Sequence, residues 1–263
     1  MDLGIRGRTA FVAAASKGLG RAVAEELAGE GANLVITARG EKELDQVRSA
    51  IAGSTGVEVL AVAGDLSSTQ DLGRMTSASL ERFGHIDILV TNAGGPPSGK
   101  FEALSEKMWS DAVDLTLMSV ISLTRAFLPG MRERKWGRII NITSITVKQP
   151  VEGLMLSNSI RAAVTGFART LADEVAMDGV TVNNILPGYT RTARVEQLAH
   201  ATAEREGVTL DSATAKWTGQ IPMRRLGEPR EFAALAAFLA SDRASYITAT
   251  SIPVDGGWIK GLI

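Results

Sequence analysis

The chain of 263 residues is long enough to bury one large hydrophobic core or two small ones. With 45% hydrophobic and 22% charged residues and a formal net charge of −1, it gives no electrostatic reason to expect nucleic acid or an anionic membrane as a partner. It has no cysteine and only two histidines, which argues against disulfides and metal sites. No uninterrupted apolar run approaches the roughly 18 residues of a membrane span, and no signal-peptide pattern is present, so we expect a cytoplasmic protein.

Short apolar segments alternate with longer helical patterns along the whole chain. The predicted strands are residues 9–15, 33–38, 58–63, 86–91, 137–143, 181–186 and 251–254. The predicted helices are residues 18–30, 41–52, 68–83, 106–128, 154–177 and 229–240. This alternation predicts an α/β fold in a single domain over residues 1–263: a doubly wound, Rossmann-type parallel sheet of seven strands with helices on both faces.

A polar segment at about residues 192–220 interrupts this alternation. We interpret it as a helical lid over a substrate pocket, because ligands of such sheets bind beyond the carboxyl ends of the strands. The alternative is an excursion with a structural role only.

A small-residue turn follows the first predicted strand. Turns of this kind bring backbone N–H groups at a helix N-terminus close to a phosphate. Ala14 stands where the first glycine of such a loop is expected, whereas Gly18 and Gly20 are present. The predicted cofactor-binding residues of the turn are Ala14, Ser16, Lys17, Gly18, Leu19 and Gly20.

The end of the second predicted strand carries Arg39 and no acidic residue. A protein that binds NAD usually places Asp or Glu there to hold the ribose 2′-OH. Arg39 and Lys17 instead suit a 2′-phosphate, and a charged hydrogen bond of about 1.5–3 kcal/mol would favour NADP roughly tenfold to a hundredfold. The alternative is that both are solvated surface charges.

Two further loops are predicted to line the same groove. Asp65, followed by Leu66, is placed to contact an adenine edge, or to act as an N-cap or turn residue of the next helix. Asn92, Ala93 and Gly94 form a small-residue break after the fourth strand, which brings bare backbone toward the groove.

An ordered series of motifs over nearly the whole chain resembles the short-chain dehydrogenase/reductase superfamily, and most of all its 3-oxoacyl-(acyl-carrier-protein) reductases. The motifs are the glycine turn, Asn92-Ala93-Gly94, Asn141-Ile142-Thr143-Ser144, Pro187-Gly188, the Gly227–Arg230 and Ala240–Asp242 segments, and Asp255-Gly256-Gly257. The resemblance implies hydride transfer between NAD(P) and a small-molecule carbonyl or alcohol, in a homotetramer or homodimer, and Arg39 and Lys17 make NADP(H) the expected cofactor. The apolar faces of residues 109–128 and 154–175 and the segment 255–263 are its predicted interfaces, with a role in the core only as the alternative for the two faces.

The same resemblance implies the catalytic positions, and here the chain departs from the family. Ser144 matches the family serine, whereas Thr116, Ser157 and Arg161 replace the asparagine, tyrosine and lysine. Pro187 and Gly188 are also implied to edge the nicotinamide, and Thr192 to meet its carboxamide. Arg161 is a candidate to hold the cofactor ribose hydroxyls, or a carboxylate or phosphate on a ligand, with a planar fork that lysine lacks.

The lost phenol matters because an aliphatic hydroxyl is a much weaker acid. A phenol has a pKa of ~10 and an alkyl hydroxyl one near water's ~15.7, so a serine alkoxide is about 7 kcal/mol harder to form. Tyr189 is a candidate relocated acid, with packing or a lid contact as its alternative role, and His200 and Lys148 are further candidates at the mouth.

Three hypotheses follow. The first is an NADP-dependent oxidoreductase with a rebuilt proton relay. The second is an inactive NADP-binding protein or subunit. The third, which we consider weakest, is a non-redox enzyme on the same fold, as in halohydrin dehalogenases, which use a Ser-Tyr-Arg set.

Overall fold

The computed structural model describes residues 2–262 and builds them around one parallel sheet of seven strands. The strand order is β3-β2-β1-β4-β5-β6-β7. The strands are β1 (Thr9–Val12), β2 (Asn33–Ala38), β3 (Val59–Ala63), β4 (Ile88–Thr91), β5 (Gly137–Ile142), β6 (Val180–Pro187) and β7 (Ser251–Val254). Strand order reverses between β1 and β4, and this switch point opens a crevice at the carboxyl edge of the sheet.

Helices cover both faces of the sheet. They are α1 (Gly18–Gly29), α2 (Glu41–Thr55), α3 (Thr69–Phe83), α4 (Glu106–Val113), α5 (Ser119–Glu133), α6 (Met155–Val175), α7 (Ala193–Glu206), α8 (Leu210–Gln220) and α9 (Pro229–Ala240). On one face α1, α2 and α9 bury Leu27, Leu44 and Phe232, and on the other α3 and α5 bury Met75 and Phe127. The predicted doubly wound α/β fold is therefore confirmed.

Helices α4 and α5 are joined by a π-helical segment, Asp114–Met118, into one helix over Glu106–Glu133. A window of 18 residues in this helix has a mean hydropathy of 1.3, so length and composition alone would fit a membrane span. A core helix of a globular domain meets the same condition. This helix packs Leu123, Phe127 and Met131 into the sheet core, which accounts for its apolar character.

A chain of buried side-chain hydrogen bonds crosses four neighbouring strands. Thr91 Oγ1 donates to Asn141 Oδ1 (2.7 Å), Asn141 Nδ2 donates to Asn184 Oδ1 (3.1 Å), and Asn184 Nδ2 donates to Ser251 Oγ (3.0 Å). Buried amides are costly unless they are hydrogen-bonded. The chain therefore fixes the relative positions of β4, β5, β6 and β7.

The predicted insertion at 192–220 is helical, as expected. Thr192 caps α7 by accepting a hydrogen bond from the Val195 amide (3.4 Å). The two helices turn at Gly207, which has a φ of +65°, and Lys216 of α8 pairs with Glu206 at 2.8 Å. The insertion is thus a helical hairpin at the carboxyl edge of the sheet.

Several predicted boundaries differ from the structure. Strand β1 ends at Val12 and not at residue 15, because the chain turns at Ala13 and Ala14. The predicted helix 106–128 continues to Glu133 and contains the π-helical segment, while the predicted helix 154–177 ends at Val175 and passes into a short 3₁₀ turn. The predicted domain 1–263 also includes Met1 and Ile263, which lie outside the described residues.

The turn between β1 and α1 depends on a close approach of backbone. Ala14 has a φ of +51°, a left-handed conformation that costs an L-residue free energy. A Cβ on Gly20 would overlap the Ala14 carbonyl oxygen and lie 2.9 Å from Asn92 Nδ2. Gly20 is therefore required where α1 passes over the turn.

We expect Gly20→Ala to destabilise the protein by about 1–3 kcal/mol, because the added methyl group must push the turn and Asn92 apart. Gly29→Ala is the matched control on the same helix: nothing lies within 4 Å of its added Cβ, so it should be neutral or stabilise by up to about 1 kcal/mol. Urea unfolding of both variants checks this, and equal effects would contradict it.

Candidate active site

The loops after β1 and β4 form the two walls of the crevice. The backbone of the first loop is tied to neighbouring strands by hydrogen bonds from the Ala13 amide to the Val90 carbonyl of β4 (3.0 Å) and from the Ala15 amide to the Thr37 carbonyl of β2 (2.8 Å). Asn92 Nδ2 reaches across to the Ala14 carbonyl at 3.5 Å. The structure thus brings together the predicted turn residues and the Asn92–Gly94 break.

An open, polar corner lies at the carboxyl ends of β2 and β3. It is lined by Arg39, Glu41, Ala61, Val62, Ala63, Gly64 and Arg74. Arg74 is held in place, donating from Nη2 to the Ala63 carbonyl (2.6 Å) and to Asp71 (2.9 Å). Within residues 2–262, neither Arg39 nor Lys17 has a side-chain hydrogen bond or an ion pair, so both cations remain available to a ligand.

Asp65 is a turn residue in this structure. Its Oδ1 accepts hydrogen bonds from the Ser67 amide (2.9 Å) and hydroxyl (2.7 Å). The Asp65 amide donates to the Asp71 carboxylate (2.7 Å). This hydrogen bond and the one from Arg74 hold the pKa of the Asp71 carboxyl below its usual value. Ser68, and not Asp65, caps α3, so the N-cap alternative for Asp65 is wrong.

The loop after β5 and the start of α6 carry the predicted catalytic residues. Ser144 follows β5 and caps a 3₁₀ turn over Ile145–Val147, where its Oγ accepts from the Thr146 amide at 3.2 Å. Its hydroxyl proton remains available to a ligand. Ser157 lies half-buried in the first turn of α6, and Arg161 lies one turn further along the same helix face.

Arg161 is a buried cation, with 7% of its surface exposed. Its Nη1 donates to the carbonyl oxygens of Ile142 (3.0 Å) and Thr143 (2.8 Å) at the end of β5. Burial, and then the positive charge of Arg194, lowers the pKa of Arg161 to about 10. The guanidinium is therefore still charged at neutral pH.

A small cavity with room for roughly one water molecule lies beside this guanidinium. Two of the hydroxyls that line it, Thr116 Oγ1 and Thr143 Oγ1, are buried without a hydrogen-bond partner. Thr116 belongs to the π-helical segment, and such segments occur frequently at functional sites. Thr116, Thr143 and Arg161 therefore line one small cavity, together with Asn92 and Ala93.

Tyr189 packs against the helical hairpin of α7 and α8. Its ring stacks on Trp217 of α8 with centroids 4.8 Å apart and meets the edge of Trp258 at 6.0 Å. Burial raises the pKa of its hydroxyl, which makes Tyr189 a weaker acid than an exposed tyrosine. The geometry favours the packing role over the role of a relocated acid.

The other predicted residues lie at the surface or at the edge of the site. His200 and Lys148 are exposed. The Gly188 amide donates to the Val254 carbonyl (3.0 Å), and a Cβ on Gly188 would lie 2.7 Å from the Asp255 Cα, so Pro187-Gly188 is held against the end of β7.

Arg194 is a residue of the site that the sequence analysis does not single out. Its Nη2 donates to the Pro96 carbonyl at 3.0 Å, from the second residue of α7 to the loop after β4. Its position two residues after Thr192, on the first turn of the same helix, is the one sequence signal that could have identified it.

Comparison with known proteins gives a consistent result. A family model described as enoyl-(acyl carrier protein) reductase matches residues 13–259. The chain is 35% identical over 255 residues to a 3-oxoacyl-(acyl-carrier-protein) reductase of Vibrio cholerae, covering 97% of this chain and 98% of the relative. It is 36% identical over 256 residues to the oxidoreductase UcpA of Escherichia coli K12, covering 96% and 95%.

Among solved structures, the fold is similar to L-sorbose reductase from Gluconobacter frateurii in complex with NADPH and L-sorbose. The TM-score is 0.95 at 33% identity, with all of both chains covered. The parallel sheet, the glycine turn at the switch point and these full-length matches agree. The chain belongs to the short-chain dehydrogenase/reductase superfamily of oxidoreductases.

Proposed function

We propose that the protein is an NADPH-dependent oxidoreductase that reduces a carbonyl group of a small molecule, such as a 3-oxoacyl thioester, with an atypical proton relay. The observation that carries this proposal is the crevice beside Ser144. Arg39, which forms no ion pair within residues 2–262, lies at the corner where the adenosine of the cofactor would bind. Gly18, with a φ of +59°, and the bare Gly20 leave the α1 N-terminus open to a diphosphate. The residues present thus fit the cofactor.

NADPH, when bound, supplies the hydride, and the protein supplies orientation, charge and a proton path. In this proposal the Ser144 hydroxyl donates a hydrogen bond to the substrate oxygen. Arg161 provides a fixed positive charge beneath it. Ser157 passes a proton from water to that oxygen, because a free serine alkoxide would cost about 7 kcal/mol relative to a phenolate.

The second candidate is an inactive NADP-binding protein or subunit. The observation in its favour is that Arg161 is tied to two backbone carbonyls and remains protonated, while no tyrosine stands at residue 157. A non-redox reaction on this fold is the weakest candidate, because the nucleotide turn is retained.

Oligomer formation and location are also proposals. We propose a homotetramer or homodimer through the faces of α4, α5 and α6, where Met118 and Met155 are 41% and 37% exposed. We propose a cytoplasmic location for the assembly.

The activity test is NADPH oxidation, followed by absorbance, over a panel of ketones, sugars and acyl thioesters. We expect turnover, and we expect Ser144→Ala to lower kcat by a factor of about 10²–10³, as for loss of one donor to a developing oxyanion. NADPH affinity should not change. Ser159→Ala, an exposed serine of α6, is the control. No turnover on any substrate, despite measured NADPH binding, would contradict the proposal.

The double substitution Ser157→Tyr with Arg161→Lys separates the first two candidates. If the natural site turns over with its own relay, the introduced pair should lower activity at least about tenfold, because the relay of Ser157 and Arg161 is removed. If the natural chain is inactive, the pair should create activity that the parent lacks. Steady-state rates of parent and variant with the same carbonyl panel give the answer.

Cofactor preference depends on Arg39 in this proposal. Arg39→Ser should weaken NADPH binding by roughly tenfold to a hundredfold and leave NADH binding unchanged, because only NADPH carries the 2′-phosphate. Arg48→Ser, which removes the same charge from α2 outside the corner, should behave as wild type. Fluorescence titration measures both dissociation constants, and an equal loss for NADPH and NADH would contradict the assignment.

A further inference from the structure

Arg194 extends from the lid across the crevice. It is the second residue of α7, and its half-buried guanidinium donates to the Pro96 carbonyl on the opposite wall. The guanidinium lies over Gly95, where an added Cβ would be 2.9 Å from its Nε. Gly95 therefore provides the space in which this side chain lies.

The base of the lid also lies against the nucleotide turn. A Cβ on Gly18 would be 3.6 Å from the Thr192 methyl group, so the residue that caps α7 lies directly beside the first residue of α1. The N-terminus of α1 is where a dinucleotide of this fold places its diphosphate. Arg194 lies two residues after Thr192, in the first turn of α7.

The charges in the crevice are unbalanced. Within residues 2–262, neither Arg194 nor Arg161 forms an ion pair with an acidic side chain. In the same part of the chain, Nε and Nη2 of Arg161 have no hydrogen-bond acceptor. Both groups are desolvated, and the charge of Arg194 acts on Arg161 strongly enough to help lower its pKa. Two partly dehydrated cations that repel each other and have no counter-charge within these residues favour the binding of an anionic ligand.

We propose that Arg194 is a cofactor-binding residue that holds the dinucleotide diphosphate and thereby fixes the lid over it. This inference rests on the proposed NADPH binding. A phosphate oxygen would replace the Pro96 carbonyl as acceptor, and hydrogen bonds to an ionised acceptor are stronger than those to a neutral one. The planar guanidinium can contact two phosphate oxygens at once.

A carboxylate on the substrate has the same anionic chemistry, so the test must separate the two sources. The diphosphate is favoured because the Thr192–Gly18 contact places the base of α7 at the α1 N-terminus.

The experiment measures dissociation constants of wild type and Arg194→Met for NADPH, NADH and 2′-AMP, which has the 2′-phosphate and neither phosphate of the diphosphate. We expect NADPH and NADH to weaken by the same factor of roughly 10–100, with 2′-AMP unchanged. Arg39→Ser should give the opposite pattern, with NADPH and 2′-AMP weakened and NADH unchanged.

Two further variants sharpen the test. Arg194→Lys retains the charge and loses the fork, so it should show an intermediate loss of dinucleotide affinity. Arg191→Met is the matched control, because the Arg191 guanidinium pairs with Glu228 at 3.0 Å, and it should bind as wild type. Far-UV circular dichroism and thermal unfolding verify that each variant is folded.

The outcomes are distinguishable. If wild type binds NADPH and the folded Arg194→Met binds it equally well, this inference is wrong and the proposed function stands. If Arg194→Met leaves both dinucleotides unaffected and raises KM only for carboxylate-bearing substrates, the guanidinium serves the substrate and the inference is again wrong. If wild type binds no dinucleotide, the proposed function is wrong, and the inference about Arg194 is wrong with it.

Discussion

The site depends on the hydrogen-bonded side chains Thr91, Asn141, Asn184 and Ser251, which link four buried strands. Parallel strands that are apolar on both faces carry little information on register, because sliding one past another exchanges similar side chains. A buried amide without a partner costs free energy, so the polar chain selects one alignment. The loops that carry Asn92, Ser144, Gly188 and the final Asp255 segment therefore emerge at matched heights on one edge.

In the proposed site above that edge, Arg161 would keep the positive charge of the family lysine, and Ser157 stands in place of the family tyrosine. A lysine at residue 161 would be a flexible point charge, whereas the guanidinium is tied to the carbonyls of Ile142 and Thr143. It lies beside two threonine hydroxyls that have no hydrogen-bond partner within residues 2–262. In the proposed relay, the fixed charge would stabilise developing negative charge, and a hydroxyl or water would supply the proton.

Sequence patterns predicted the elements whose signals are local. Strand β2 and helix α9 match the prediction residue for residue; α9 begins at Pro229 inside a capping box formed by Glu228 and Glu231. The π-helical segment was missed because one extra residue per turn hardly changes hydrophobic periodicity. The bond from Arg194 to Pro96 spans 98 residues of sequence, and no local pattern encodes a contact of that kind. The family motif marked residues 157 and 161 as the catalytic positions. The burial of Arg161 depends on the packing of α6 against the end of β5, which no local sequence pattern reveals.

The stack of Tyr189 on Trp217 has a practical consequence. Of the four tryptophans, Trp217 of the helical hairpin and Trp258 of the C-terminal segment both meet Tyr189. Trp109 lies in α4, and the ring of Trp136 is contacted by the guanidinium groups of Arg8 and Arg138. Indole emission depends on the polarity and stacking around the ring. The molecule therefore carries an intrinsic optical reporter, through which displacement of the helical hairpin can be followed in real time without any attached dye.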